Sequence, residues 1–272
     1  MPYGTYYVDD YSGSDYAKIT AAVNAAHSAG GGRVALSNRT YSISQSIVLH
    51  SNIVFCGVGT SSLIVCTADV PHIQILSANN DSSYIEIKDM SLFYADMETT
   101  SSFHVEAEKP LYLQIRRVSF LAEHRNYSGV LTWDGVDREQ KIFADSEHAA
   151  FMTHIENCLF NSGCIWLNDS DSRIINNYVW ANAIGGSVIR MAIRLSNGAV
   201  NVSGNDIVSG CDAGIYLAST CSGIRIENNY FDGSWHENGV NVRTGWGIWA
   251  EGAARCLVVG NSFNDSFKGG IL

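Results

Sequence analysis

Apolar residues follow two different rhythms along this chain. Between Asp15 and Ala29 they fall at Ile19, Ala22, Val23 and Ala26, one face of a helix. Ser14 or Asp15 can cap its start, and Gly30-Gly31-Gly32 stops it. From Arg33 onward the helical rhythm disappears. Short β-rich runs alternate instead with Gly, Asn, Asp and Ser turns, as in Arg33-Val34-Ala35-Leu36, Tyr41-Ser42-Ile43-Ser44, Ile47-Val48-Leu49 and Ile53-Val54-Phe55. Strands this short do not suit a large barrel.

Two motifs recur through the second half. Ile155-Glu156-Asn157-Cys158-Leu159-Phe160 returns as Ile175-Asn176-Asn177-Tyr178-Val179-Trp180, Gly204-Asn205-Asp206-Ile207-Val208, Ile226-Glu227-Asn228-Asn229-Tyr230-Phe231 and Val259-Gly260-Asn261-Ser262-Phe263. Interleaved with it are Cys164-Ile165-Trp166-Leu167, Ala192-Ile193-Arg194-Leu195, Gly214-Ile215-Tyr216-Leu217, Gly247-Ile248-Trp249-Ala250 and Gly270-Ile271-Leu272. Two motifs that keep one irregular period describe rungs of a β-solenoid, each rung adding strands to the parallel sheets of the one before. Asparagines 157, 177, 205, 228 and 261 are then expected in one turn column, where they accept left-handed backbone angles and hydrogen-bond from rung to rung. The expected fold is all-β: a parallel β-solenoid over 33–272, preceded by a segment 1–32 whose α-helix caps the N-terminal end. Gly270-Ile271-Leu272 begins a strand motif and stops, so the C-terminal end reads as uncapped or truncated.

Composition narrows the function classes. Lys plus Arg number 17 against 27 Asp plus Glu, a net charge of −10, which argues against a nucleic-acid partner. Hydrophobic residues make up 46% and charged residues 16%, enough apolar material for a large core. No apolar run approaches the ~18 residues of a membrane span, and the N-terminus lacks the basic and apolar regions of a signal peptide. The seven cysteines (56, 66, 158, 164, 211, 221, 256) show neither CxxC nor Cys/His spacing and read as small buried thiols. No cofactor is implied.

Asp15 to Ala29, Gly30-Gly31-Gly32-Arg33-Val34-Ala35-Leu36, Thr40-Tyr41-Ser42-Ile43 and Ser51-Asn52-Ile53-Val54-Phe55-Cys56-Gly57-Val58-Gly59 together resemble the opening of the pectate-lyase-like right-handed β-helix superfamily, which includes bacteriophage tailspike depolymerases. The match covers about 50 residues. Two departures leave the subfamily open: the Asp-Gly-rich lead-in is reduced to Val8-Asp9-Asp10-Tyr11-Ser12-Gly13, and Ser37-Asn38-Arg39 stands where a Pro-x-Gly turn is common. The resemblance implies a homotrimer on a virion tail or outside the cell. It also implies that the protein binds and depolymerises a bacterial surface polysaccharide: a capsule, an exopolysaccharide or an O-antigen. A non-catalytic adhesin or structural spike is the competing class, and a polysaccharide lyase or epimerase is the third.

Strand alternation suggests where chemistry sits. With Ile165, Ile193, Ile215 and Ile248 inward, Trp166, Arg194, Tyr216 and Trp249 point outward in a column that suits the apolar faces of sugar rings, and Gly214 and Gly247 would leave a shallow groove beside it. The same residues would also serve to pack under a loop or a neighbouring subunit. Taking Val105 and Leu131 as the inward residues upstream adds Glu106 and Thr132 to that column. It places Glu108 and Asp134 in the next one, which continues through Asn168, Ser196, Ala218 and Glu251. Glu106, Glu108 and Asp134 become the candidate acid/base groups for glycosidic cleavage, which needs two carboxylates with different proton affinities. The alternatives for these oxygens are a solvated acidic face or a Ca²⁺ site. Two insertions, Leu121 to Ala150 and Asp232 to Trp246, break the period and carry further titratable residues. Arg194 or Arg243 would neutralise a uronate in a lyase.

Overall fold

The computed structural model describes residues 4–76, 82–95, 102–122, 129–133, 150–161, 163–181, 191–209, 212–233, 235–237, 240–242, 244–264 and 267–272. Within them, parallel strands stack rung on rung into two large sheets. One has nine strands, from Ile47–Leu49 through Ile73–Ile75, Val105–Glu108, Gly129–Trp133, Cys164–Leu167, Met191–Leu195, Ala213–Leu217 and Thr244–Ala250 to Phe267–Ile271. The other has 19. Two of its rungs, Ser83–Tyr94 and Leu111–Leu121, are single strands that run the full width, while rungs before and after break into pairs such as Ile53–Cys56 with Leu63–Cys66 and His154–Glu156 with Leu159–Asn161. The expected register holds through the second half: Ile165, Ile193, Ile215, Ile248 and Ile271 stand opposite one another in successive rungs.

The break between paired strands is a tight corner with two jobs, and two adjacent residues divide them. The first residue adopts a left-handed backbone in each rung: Asn157, Asn176, Gly204, Asn228 and Gly260 have φ of 56°, 55°, 65°, 54° and 67°. Asparagine and glycine are the residues that tolerate this conformation. The second residue carries a hydrogen-bonded ladder. Asn205 Oδ1 accepts from both the backbone N–H and the Nδ2 of Asn177, at 2.9 and 3.0 Å. Asn229 does the same for Asn205, and Asn261 for Asn229. Each Nδ2 also donates to a strand carbonyl, of Ile155, Ile174, Val202 or Ile226. The five asparagines aligned from sequence therefore belong to two columns. Asn157 and Asn228 make the left-handed turn, Asn177, Asn205 and Asn261 form the ladder with Asn229, and Cys158 holds the ladder position one rung earlier.

Inside the solenoid, stacked aromatics follow the same rungs. Phe120 lies on Phe160 at 4.5 Å between ring centroids, and Phe231 on Phe263 at 4.8 Å. Gly214 and Gly247 belong to this packing and not to an external groove: a Cβ at Gly214 would come within 2.9 Å of the Phe231 ring, and one at Gly247 within 2.4 Å of Phe263. The described cysteines are buried free thiols, apart from half-buried Cys256.

The helix α1 spans Asp15–Ser28, with Ser14 Oγ accepting from Ala17 N–H. It ends in a paired turn in which Gly31 N–H reaches Ala26 O and Gly30 N–H reaches His27 O, with Gly30 at φ 84°. Its buried face is Ile19, Ala22, Val23 and Ala26, set against the strands Thr5–Tyr7, Gly32–Ala35, Thr40–Ile43 and Ile47–Leu49. Arg39 ties this end together. It pairs with Asp9 at 2.7 Å and Asp15 at 2.9 Å, and its hydrogen bond holds the Asp9 carboxyl down at about 2.

Candidate functional site: the outward column of the nine-stranded sheet

Val48, Gln74, Glu106, Leu131, Trp166, Arg194, Tyr216 and Trp249 stand opposite one another without interruption. The upstream part of this column corrects the sequence alignment. Val130, not Leu131, is in register with Val105 and Ile165, so Leu131 joins the outward column and buried Thr132 moves to the inner side. A one-residue slip reverses the face of every side chain in a strand. Trp133, not Asp134, stands beside Glu108. Asp134 itself lies outside the described residues. Glu106 and Glu108 remain two residues apart on one strand, with Cα atoms about 6.6 Å apart at the normal strand rise.

The column is not an open platform. Glu106 and Trp166 are 4% exposed, Arg194 5% and Tyr216 9%. Trp166 packs tilted against Phe103 at 5.4 Å between ring centroids and donates from Nε1 to Met191 O, so residues leading into neighbouring strands fold over it. Glu106 Oε1 accepts from Phe103 N–H at 3.1 Å. Of the alternatives open in the sequence, packing beneath adjoining chain accounts for Trp166. A narrow cleft remains between Leu131, Thr132, Trp166, Asn168, Arg194 and Ser196, about 10 Å³ and so sized for one water.

Further along the column the groups become polar and more accessible. Tyr216 hydrogen-bonds through its hydroxyl to Glu251 Oε2. The Arg194 guanidinium lies 5.8 Å from the Tyr216 ring centroid, and half-buried Trp249 meets Tyr216 edge-on at 5.8 Å. A cation, a phenol and an exposed carboxylate thus share two or three rungs. Three rungs separate Glu106 from Arg194, about 14 Å. In the two insertions, Glu123, His124, Arg125, Asp137, Arg138, Glu139, Asp145, Glu147, His148 and Arg243 lie outside the described residues. The backbone at Trp235–Glu237 pairs antiparallel with Val240–Val242.

The sequence reading missed one titratable group. Asp169 is fully buried, and burial pushes its carboxyl up to about 7. The hydroxyls of Thr153, Thr132 and Ser172 face it and oppose that shift, yet neither carboxyl oxygen closes a hydrogen bond of good geometry. Alternation was the available signal: two residues beyond inward Leu167, an aspartate points inside. Among the described residues no three His, Cys, Asp or Glu side chains gather closely enough to hold a metal ion.

No protein-family model matches the chain, and no curated protein matches it in sequence. Solved structures do. The Dettilon tailspike protein aligns over 98% of this chain and 57% of its own, with 16% identity and TM-score 0.66. Tailspike protein 2 of the Escherichia coli O157:H7 bacteriophage CAB120 aligns over 93% of this chain and 37% of its own, with 16% identity and TM-score 0.62. The A-module of the Azotobacter vinelandii mannuronan C-5 epimerase AlgE4 aligns over 99% and 97%, with 14% identity and TM-score 0.52. At these identities the similarity is one of fold, the right-handed parallel β-helix. The chain spans little more than half the length of the first tailspike and about a third of the second.

Proposed function

We propose that this chain is the carbohydrate-active β-helix of a tailspike-type protein, which binds and depolymerises a bacterial surface polysaccharide along the outer face of the nine-stranded sheet. One observation carries the reading: an unbroken outward column gathers Glu106, Trp166, Arg194, Tyr216 and Trp249 on one face, with Glu251 bonded to Tyr216. Likeness to two tailspikes and an epimerase supports it at the level of fold. In this reading 33–272 act as one continuous domain, α1 closes the N-terminal end of the solenoid, and the protein works as a homotrimer on a virion tail or outside the cell.

Hydrolysis would fall to Glu106 and Glu108, with Asp134 as the third carboxylate. The Tyr216–Glu251 contact favours a second reaction at the same face, elimination at a uronate. Arg194 would neutralise the sugar carboxylate. Tyr216, passing its proton to Glu251, would take the proton from the carbon beside that carboxylate; the C4–C5 double bond would form as the C4–O bond breaks, and the leaving oxygen would take a proton from water. Incubation with capsular and O-antigen polysaccharides separates the readings. New reducing ends without ultraviolet absorbance indicate hydrolysis, absorbance of an unsaturated uronate indicates elimination, and binding without chain shortening rejects both in favour of an adhesin. Glu108→Gln is expected to lower hydrolytic turnover by ~10²- to 10⁴-fold, or Tyr216→Phe to lower elimination as much. Trp249→Ala should chiefly weaken binding.

A further inference from the structure

A second cleft lies on the other large sheet. It holds about 440 Å³ and is lined by Met152, His154, Asp171, Arg173, Ile175 and Asn201, among others. That volume is within the range of small-molecule sites, ~300–1,000 Å³. His154, Arg173 and Asn201 occupy consecutive rungs of one outward column, so their side chains rise about 4.8 Å apart along the solenoid.

Neighbouring rungs show what is unusual here. In the same column Arg225 is committed to Glu227, two residues on, at 2.8 and 3.1 Å. In the adjacent column Arg116 sits between Glu86 and Glu156. At Arg173 the matching position is Ile175, and Arg173 has no carboxylate partner among the described residues. His154 stands one rung before Arg173 and half-buried Asn201 one rung after, so an imidazole and an amide flank an unneutralised cation along the cleft. The His154 imidazole is half-buried. Burial, and then the charge of Arg173, lower its pKa, which leaves a neutral ring with one donor and one acceptor at pH 7.

We infer that this cleft binds an acidic sugar unit, a uronate-type residue of a polysaccharide, at a site separate from the Arg194–Tyr216 column. Arg173 meets the planar carboxylate, the half-buried His154 ring and Asn201 side chain face the ring hydroxyls, and exposed Asp171 accepts from another at the rim. Met152 and Ile175 lie against the apolar side of the ring. A purely anionic ligand would face the Asp171 carboxylate, which is why a hydroxylated ligand fits better than an inorganic anion. The inference does not rest on depolymerisation, since holding a chain requires no bond to break.

Titration of the whole chain with oligogalacturonate and oligomannuronate, followed by NMR of the His154 imidazole, tests it at the site itself. We expect a saturable shift of the His154 signal with at least one of the two. Arg173→Gln should weaken that binding by roughly 10- to 100-fold, the loss of one charge-assisted hydrogen bond in a partly desolvated site. Asn201→Ala should weaken it less, Arg225→Gln not at all, and methyl-esterified oligosaccharides should bind as poorly to the natural protein as the free acids do to Arg173→Gln. The inference is overturned by no shift at His154 up to ~10 mM of either acid, by equal affinity of Arg173→Gln and the natural protein, or by equal affinity of esters and acids. Inorganic phosphate binding as tightly as the sugars would overturn the sugar assignment. Because His154 reports the outcome, activity or inactivity at Tyr216 has no bearing on it.

Discussion

Two corners of the solenoid bury polar side chains, and they treat them in opposite ways. At the asparagine corner every amide is met: Asn205 receives two hydrogen bonds from Asn177 and gives its own to Asn229 and the Ile174 carbonyl. At the corner after the nine-stranded sheet, Asp169 is as deeply buried, but its partner in register is Ala150. Repetition explains the difference. A polar residue that recurs in each rung finds its complement one rung away, whereas one that occurs once must be satisfied by whatever happens to surround it. In a stacked fold the repeated polar residue stabilises, and the solitary one is a burden or a tool.

The largest effect should come from removing that burden. Burial raises the Asp169 carboxyl from 3.8 to about 7, so between those values the folded chain holds a proton that the unfolded chain has released. The contribution of this group to stability is therefore greatest below about pH 4, falls as pH rises toward 7, and levels off above it. The difference between those two values corresponds to ~4 kcal/mol at most. Asp169→Asn removes the ionisation and should raise stability at pH 8 by up to that amount, with little change at pH 4. Urea unfolding at the two pH values checks this. A variant less stable at pH 8 would mean that the carboxylate has a compensating partner, and the contrast between the corners would collapse.

Next in size is damage to the ladder. Asn205→Ala strands the Asn177 backbone N–H and amide without their acceptor and frees the Ile174 carbonyl, all in buried positions. Buried unsatisfied groups cost ~1–3 kcal/mol each, partly relieved by water, so a loss of about 3 kcal/mol is expected. Asn261→Ala, in the last rung of the ladder and partly exposed, should cost about 1 kcal/mol. Chemical unfolding of both variants measures the gradient. Equal losses would show that the ladder is not cooperative along its length.

The same contrast marks how far the sequence could be read. Ile165, Ile193, Ile215, Ile248 and Ile271 revealed the rungs because an inward isoleucine is required in each, and the structure keeps them in register. The asparagine corner was legible as a corner, but two adjacent positions both accept asparagine for different reasons, so alignment on the letter alone mixed them. Upstream of Ile165, Val130-Leu131 offers two apolar residues in succession, and periodicity cannot choose between them. The choice decided the fate of Thr132 and Asp134. Exposure of the Trp166 column was not legible either, because the residues that cover a strand lie in the connections between strands. Asp169 was visible by parity once Leu167 was placed inward. Parity gives the direction of the side chain but not its surroundings, and the buried surroundings are what displace this carboxyl.

The smallest predicted effect extends the ladder by one rung. Cys158 occupies the ladder position before Asn177: its backbone N–H donates to Asn177 Oδ1, and its thiol points to the Ile115 carbonyl at 3.6 Å. That carbonyl holds the place that Ile155, Ile174, Val202 and Ile226 hold for the later amides. The Val118 backbone also bonds to the sulfur, and burial pushes the thiol up to about 12, so the group is an inert, weak stand-in for an amide. Cys158→Asn would give the Ile115 carbonyl an N–H donor and the Val118 N–H an oxygen acceptor. Replacing two weak sulfur contacts by two amide hydrogen bonds should add about 1 kcal/mol, less whatever the slightly larger side chain disturbs. Thermal unfolding would show a rise in Tm of a few degrees, and Cys158→Ser, which cannot reach both partners, should show none. A fall in Tm for the asparagine variant would mean that the first rung of the corner has a different shape. The rule that repetition satisfies buried polarity would then stop at Asn177.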